Sequence, residues 1–133
     1  MKRTLTKLHL IAGLGLAAIP ALAHHSAKAE FDAAELITLN GTVTRVDWVN
    51  PHARFYMDVK EVSGKVTNWE FEWGSPNGLT HAGWTRTSLQ RGAQITVRGW
   101  RAKDNGNLVN AITITLANGR ELPAVSSAQD SAK

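Results

Sequence analysis

Apolar and polar residues alternate with a period of two in several short segments between residues 38 and 122, which predicts β-strands with one buried face. The clearest are ARFYMDVK (53–60) and VTNWEFEW (66–73), with a Ser-Gly turn between them. The predicted buried positions of these two strands are Phe55, Met57, Val59, Trp69, Phe71 and Trp73. Glu70 and Glu72 fall on the opposite face, where we expect ordinary solvated carboxylates.

The segment before them, TLNGTVTRVDWV (38–49), changes phase along its length. Leu39, Gly41 and Val43 lie on one face, whereas Val46 and Trp48 lie on the other. A phase change within a strand predicts a β-bulge, which we place near residues 44–45 and which lets one strand bend between two sheets. The Asn-Pro-His sequence that follows ends the strand.

Residues 75–92 lose the period of two, and Ser75 followed by Pro76 is typical of the start of a short helix. Two further strands are predicted in AQITVRGWRA (93–102) and NAITITLANGREL (110–122), joined by a polar loop at 104–107, and the second ends in an Asn-Gly turn after Leu116. The sequence therefore predicts three strands, a short helix and two more strands.

This order predicts an all-β fold with one short helix, as a five-stranded OB-like Greek-key barrel (β-β-β-α-β-β) over residues 38–122. A β-sandwich is the alternative, but it requires more strands than the pattern indicates. Residues 123–133 are small and polar, which predicts a disordered tail.

The first 23 residues have the layout of a secretory signal peptide. Basic residues precede an apolar run over 8–22, and Ala21-Leu22-Ala23 forms an A-x-A cleavage site. The apolar run is shorter than the roughly 20 residues that cross a bilayer, so we expect removal rather than a membrane anchor. The sequence predicts a periplasmic or secreted protein that begins at His24, with residues 24–37 as its N-terminal segment.

Cleavage changes the charge of the protein. The full chain has 15 Lys and Arg against 11 Asp and Glu, and the signal peptide removes three basic residues, which leaves a formal charge of +1. A nucleic-acid partner requires a clustered basic face and is therefore not expected. The chain contains no cysteine, so any metal site depends on histidine, carboxylates, methionine or the terminal amine.

The predicted new terminus points to one metal-binding hypothesis. If cleavage follows Ala23, the α-amino nitrogen and imidazole of His24 can chelate one ion, and an imidazole from His25 or His52 supplies a third nitrogen. Such a nitrogen set suits Cu(II). Against metal binding, His24 and His25 can belong to a solvated tail, and His52 can simply form a hydrogen bond with a nearby carbonyl. We expect His81 to be a surface residue.

A binding module without a metal is the alternative function. In an OB barrel the loop after the first strand and the loop between the last two strands flank the usual binding face. Those loops correspond here to residues 50–52 and 104–107, and a sugar, a peptide or another envelope protein is the expected partner. The candidate ligand-binding residues are Trp48, Asn50, Tyr56, Arg98 and Trp100. Tryptophans in a small barrel also serve as core residues.

Enzymatic function has the least support. Ser75 and Ser88 have no evident base and orienting acid, so a nucleophilic triad is not indicated. The glycine-rich GLGLAAIP lies within the signal peptide and follows no strand, so it is not a phosphate-binding loop.

Several motifs together resemble a family of small exported bacterial proteins that is a domain of unknown function. They are HHS at 24–26, Phe31-Asp32, GTVTRVDWVNPH at 41–52, NWEFEWGSPNGL at 68–79, GWTRTSL at 83–89 and RAKD at 101–104. The W-x-N-P-H motif (Trp48 to His52) and the S-P-N-G-L to G-W stretch are the most specific. The resemblance implies export and a small β-barrel, but no established activity. His24, His25 and His52 lie within these motifs, whereas relatives more usually carry a different basic residue at His81.

Overall fold

A computed structural model describes residues 30–126, which are mostly β-structure with one short helix, as expected. The predicted signal peptide, His24, His25 and the residues after 126 lie outside the described residues. The elements are β1 (Phe31–Asp47), β2 (Arg54–Lys60), β3 (Val66–Glu72), α1 (Pro76–His81), β4 (Gln94–Ala102), β5 (Leu108–Leu116) and β6 (Glu121–Pro123).

The strands are bonded in the order β3-β2-β1-β4-β5-β6, and β3 also pairs in parallel with β5, which gives ring-like bonding. The long strand β1 makes this possible, because its second half pairs with β2 and its first half pairs with β4. The register shifts between Val43 and Arg45, which confirms the bulge predicted from the change of phase.

Strand β1 begins at Phe31, seven residues earlier than the alternation predicts. The reason is a register irregularity between Phe31 and Leu36, which interrupts the period of two. Phe31 pairs with Ala102, and the two side chains are buried together. The start of β1 is therefore specified by a contact with β4 rather than by its local pattern.

The predicted disordered tail is wrong for residues 123–126. Pro123 belongs to β6, while Ala124 and Ser126 are fully buried. The backbone N–H of Ala124 donates to the carbonyl of Ile112 at 2.8 Å, and the N–H of Gly74 donates to the carbonyl of Ala124 at 3.0 Å. This segment stays ordered because Ala124 forms backbone hydrogen bonds with two other segments of the chain.

The core consists mainly of the inward residues of the strands. Phe55, Met57 and Phe71 are buried as predicted, and the rings of Phe55 and Phe71 stack at 4.8 Å. Helix α1 begins as predicted, because the Ser75 hydroxyl accepts from the N–H of Gly78 at 3.1 Å and Pro76 follows it. Leu79 on this helix is fully buried and covers one side of the core.

Two fully buried tryptophans allow a matched test of one hydrogen bond. Trp84 donates its indole N–H to the carbonyl of Pro123 at 2.8 Å, whereas the indole nitrogen of Trp73 has no hydrogen-bond partner among residues 30–126. Both Trp84→Phe and Trp73→Phe remove ring volume, but only the first leaves a carbonyl without its donor. We expect Trp84→Phe to lower the free energy of unfolding by about 1 kcal/mol more than Trp73→Phe. Urea unfolding followed by circular dichroism measures this difference, and equal losses would contradict the assignment.

Candidate functional site

The loop between β1 and β2 carries His52 to the end of β3. Two backbone hydrogen bonds hold the loop there: Ala53 donates to the carbonyl of Gly74, and Trp73 donates to the carbonyl of Ala53, both at 2.9 Å. The Asn50–Pro51 peptide bond within this loop is cis, and Asn50 is exposed. Nδ1 of His52 lies 3.5 Å from Oε1 of Glu72, and 35% of the histidine side chain is exposed.

Glu72 is buried, so the predicted solvated position of this carboxylate is wrong. It lies on the outer face of β3, opposite the core residue Phe71, as the alternation requires. Its carboxylate is buried because β5 pairs with β3 at this position, which places the side chain of Asn110 against Glu72. Alternation separates two faces of a strand, but it does not show which later segments cover each face. Glu70 remains partly exposed and forms an ion pair with Arg54.

Two further polar side chains extend inward from Glu72. The amide nitrogen of Asn110 donates to Oε1 of Glu72 at 3.3 Å, and the hydroxyl of Ser126 donates to the amide oxygen of Asn110 at 2.5 Å. Asn110 and Ser126 are both fully buried. The sequence indicates neither residue, because the partners of each are distant in the chain.

Aromatic rings lie next to these polar groups. Trp48 contacts Trp73 edge-to-face with ring centroids 5.5 Å apart. Trp73 also meets Phe55 and Trp84 edge-to-face. The π-faces of such neighbours are weak acceptors for an indole N–H, which gives the unpaired nitrogen of Trp73 a physical context. Trp48 is thus partly core and partly a neighbour of the loop that carries His52.

The second predicted loop, at residues 104–107, reaches the same strand. The carbonyl of Asn107 accepts from the backbone N–H of Glu70 at 2.9 Å. Arg101 fixes the loop by donating to the carbonyl of Asn105 at 2.7 Å. Glu70 and Glu72 are two residues apart, or about 7 Å along the strand. The structure therefore brings both loops to neighbouring positions of β3.

Three of the predicted ligand-binding residues do not form one surface. Tyr56 pairs in register with Arg45, whose guanidinium carbon lies 3.9 Å from the tyrosine ring centroid. Arg98 pairs with Thr38, seven residues earlier on β1, which corresponds to about 23 Å along a strand. Trp100 packs against the small buried cluster of Phe31 and Ala102. Its first role is therefore structural.

The charged groups around Glu70 are already engaged with each other. Burial lowers the pKa of the Arg54 guanidinium, but the hydrogen bond and negative charge of Glu70 outweigh that effect and raise the pKa above its usual value. Glu70 accepts this hydrogen bond from Arg54, so its carboxylate is less suited than Glu72 to interact with His52.

Residues 30–126 contain no group of three or more His, Asp or Glu side chains that could hold a metal ion. His52 and Glu72 are close together, whereas His81 is exposed at the end of α1. The predicted ligands His24 and His25 lie outside the described residues.

The described part of the chain defines a small β-protein whose strands bond in a ring and whose first loop sets a histidine against a buried carboxylate. The chain belongs to DUF6152, a family of unknown function, whose model matches residues 13–110. The expected membership of such a family is confirmed. No curated protein matches the chain. Within residues 30–126, no helix is both long enough and apolar enough to cross a membrane.

Proposed function

We propose that this protein is exported and binds Cu(II) through the α-amino nitrogen and imidazole of His24 together with the imidazole of His52. The observation that carries the proposal is the position of Nδ1 of His52 at 3.5 Å from the buried carboxylate of Glu72. Metal-binding histidines usually direct one ring nitrogen to a carboxylate or carbonyl and bind the ion with the other. His52 has this arrangement, with Nε2 as the metal ligand.

The ligand set favours copper among the common divalent ions. It consists of one amine and two imidazoles, and nitrogen ligands of this kind suit Cu(II) in a tetragonal geometry. Copper also has the highest affinity in the divalent series. The chain has no cysteine, so thiolate ligands do not compete for the ion.

The length of the chain allows His24 to reach His52. From Glu72 on β3, in-register pairs lead to Asn110 on β5 and then to Trp100 on β4. Two residues further along β4, Ala102 pairs with Phe31 on β1. Three interstrand steps and two residues amount to about 21 Å. Seven residues separate His24 from Phe31, and an extended chain of that length spans about 23 Å. The direct distance is shorter because the strands bond in a ring.

The strand pairings support an OB-type barrel as the scaffold. Three features are in agreement with it: β1 is shared between β2 and β4, α1 lies between β3 and β4, and β3 meets β5 in parallel. In such a barrel the loops after β1 and β4 border the binding face. Here the loop after β1 carries His52 to Glu72 at the end of β3, and the loop after β4 meets β3 at Glu70.

His25 is the alternative source of the third nitrogen. Glu72 favours His52, because a partly buried imidazole beside a carboxylate is already oriented before the ion binds. A metal-free binding function through Tyr56, Arg98 and Trp100 has less support, since Tyr56 lies far from Arg98 along β1 and Trp100 packs against Phe31 and Ala102.

The proposal is tested on protein purified from the periplasm of an expression host. Mass spectrometry of the intact protein first establishes whether the chain begins at His24. Cu(II) titration with a competing chelator then compares the wild type with His52→Ala, His25→Ala and the control His81→Ala. We expect His52→Ala to lower the affinity at least about tenfold, with electron paramagnetic resonance showing one nitrogen fewer.

The control variant His81→Ala is expected to bind like the wild type, because His81 is exposed on α1. A chain that begins at another residue would remove the proposed chelate. Equal affinities of the wild type and His52→Ala would exclude His52, and a loss confined to His25→Ala would assign the third nitrogen to His25.

A further inference from the structure

The polar groups behind His52 form a buried network of side chains that begins in the C-terminal segment. Ser126 contacts Asn110, Asn110 contacts Glu72, and Glu72 faces His52. Exposure of the side chains rises along this network: Asn110 and Ser126 are fully buried, Glu72 is nearly so, and His52 is about one third exposed. This network of side chains thus connects the interior of the protein to an accessible imidazole.

The chemistry of each group fixes the direction of its hydrogen bond. An ionised carboxylate only accepts, so Asn110 turns its NH₂ group to Glu72, and a neutral His52 can offer Glu72 only an N–H. With its NH₂ group turned to Glu72, Asn110 presents its oxygen to Ser126, whose hydroxyl donates to it. Each of these donors is therefore directed toward the Glu72 end of the network. Of the two neutral tautomers of the imidazole, a carboxylate in this position favours the one that carries its proton on Nδ1, which leaves the lone pair on Nε2.

The C-terminal segment is held so closely that Ser126 has a defined position. Gly74 packs against it without a side chain, and a Cβ atom at Gly74 would lie 2.5 Å from the carbonyl oxygen of Val125. The hydrogen bonds of Ala124 to Ile112 and Gly74 fix the same segment to β5 and to the end of β3. The geometry of Asn110 thus depends on residues far beyond it in the chain.

We infer that Asn110 and Ser126 are positioning residues, which act through Glu72 to hold neutral His52 as the Nδ1–H tautomer with Nε2 open for a ligand. The tautomer is a property of the protein without metal, and only its consequence for copper affinity rests on the proposed function. Because free histidine favours the Nε2–H tautomer, the bias at His52 can be measured directly.

The test is the ring-nitrogen NMR spectrum of ¹⁵N-histidine-labelled, metal-free protein, recorded at pH values where the imidazole is neutral. We expect the Nδ1–H tautomer at His52 in the wild type. Glu72→Leu, which has similar volume and no acceptor, should restore the Nε2–H form, whereas Glu72→Gln retains an acceptor oxygen and should preserve part of the bias. Ser126→Ala and Asn110→Leu should each increase the Nε2–H fraction, and the exposed Ser63→Ala is the matched control for Ser126→Ala.

Circular dichroism establishes which variants are folded, and Ser126→Ala is the mildest change if Asn110→Leu does not fold. A wild-type His52 in the Nε2–H form would overturn the inference, as would an unchanged tautomer in folded Ser126→Ala. In the copper titration, Glu72→Leu, which removes the direct partner of His52, should bind at least about tenfold more weakly, and Ser126→Ala should weaken binding in the same direction. If the wild type shows the Nδ1–H tautomer but binds no copper, the proposed function fails while the positioning inference stands.

Discussion

Selective acetylation of the α-amino group of His24 is expected to weaken Cu(II) binding by the exported protein at least about a hundredfold, which corresponds to about 2.7 kcal/mol. Acetylation converts the amine into an amide, whose nitrogen has no available lone pair, and removes the terminal positive charge at the same time. The imidazole of His24 remains, but it can no longer form a chelate ring with the terminal nitrogen. Competitive Cu(II) titration measures the loss.

The control is the His24→Ala variant treated in the same way, together with mass spectrometry to locate the acetyl group. The variant lacks the chelating imidazole and should therefore lose much less affinity on acetylation than the wild type. An added residue before His24 is not an equivalent test, because it moves His25 to the third position, where the terminal amine, backbone nitrogens and imidazole form a different copper site. Wild-type affinity after complete acetylation would exclude the terminal amine as a ligand.

Gly41→Ala is expected to lower the free energy of unfolding by at least about 2 kcal/mol, because it forces a methyl group into a closely packed crossing. Gly41 lies where β1 passes from β2 to β4. A Cβ atom there would overlap the carbonyl oxygen of Asp58 and lie 2.8 Å from Cγ of Met57. The carbonyl belongs to the backbone of β2, so relief requires movement of the whole strand. Denaturant unfolding measures the loss.

Thr38→Ala is the matched control, since Thr38 is an exposed residue of the same strand. Surface changes of this kind usually alter stability by no more than about 0.5 kcal/mol. A Gly41→Ala protein as stable as this control would show that β1 and β2 separate easily at the crossing. Such a result would also weaken the proposed barrel, which depends on a sharply bent β1.

The candidate site shows how much of a buried polar network can be predicted. His52 was a candidate because it follows a strand end and lies in a distinctive motif, and both of those features are local in the chain. Its partner Glu72 was assigned to solvent, since an outward position in an alternating strand is usually exposed. Asn110 and Ser126 were not identified, because their roles depend on contacts 38 and 16 residues away in sequence.

Local patterns in the sequence specify the alternating strands, the bulge in β1, the capped start of α1 and the inward side chains such as Phe55 and Phe71. These features depend on neighbours one to four residues away, through side-chain alternation and local hydrogen bonding. Long-range contacts specify the early start of β1, the ordered segment through Ser126 and the burial of Glu72. Each of these features depends on which distant backbone or side chain covers the segment. Folding selects the arrangement with the fewest unpaired polar groups and the least exposed apolar surface over the whole molecule, and a short window of sequence does not contain that information.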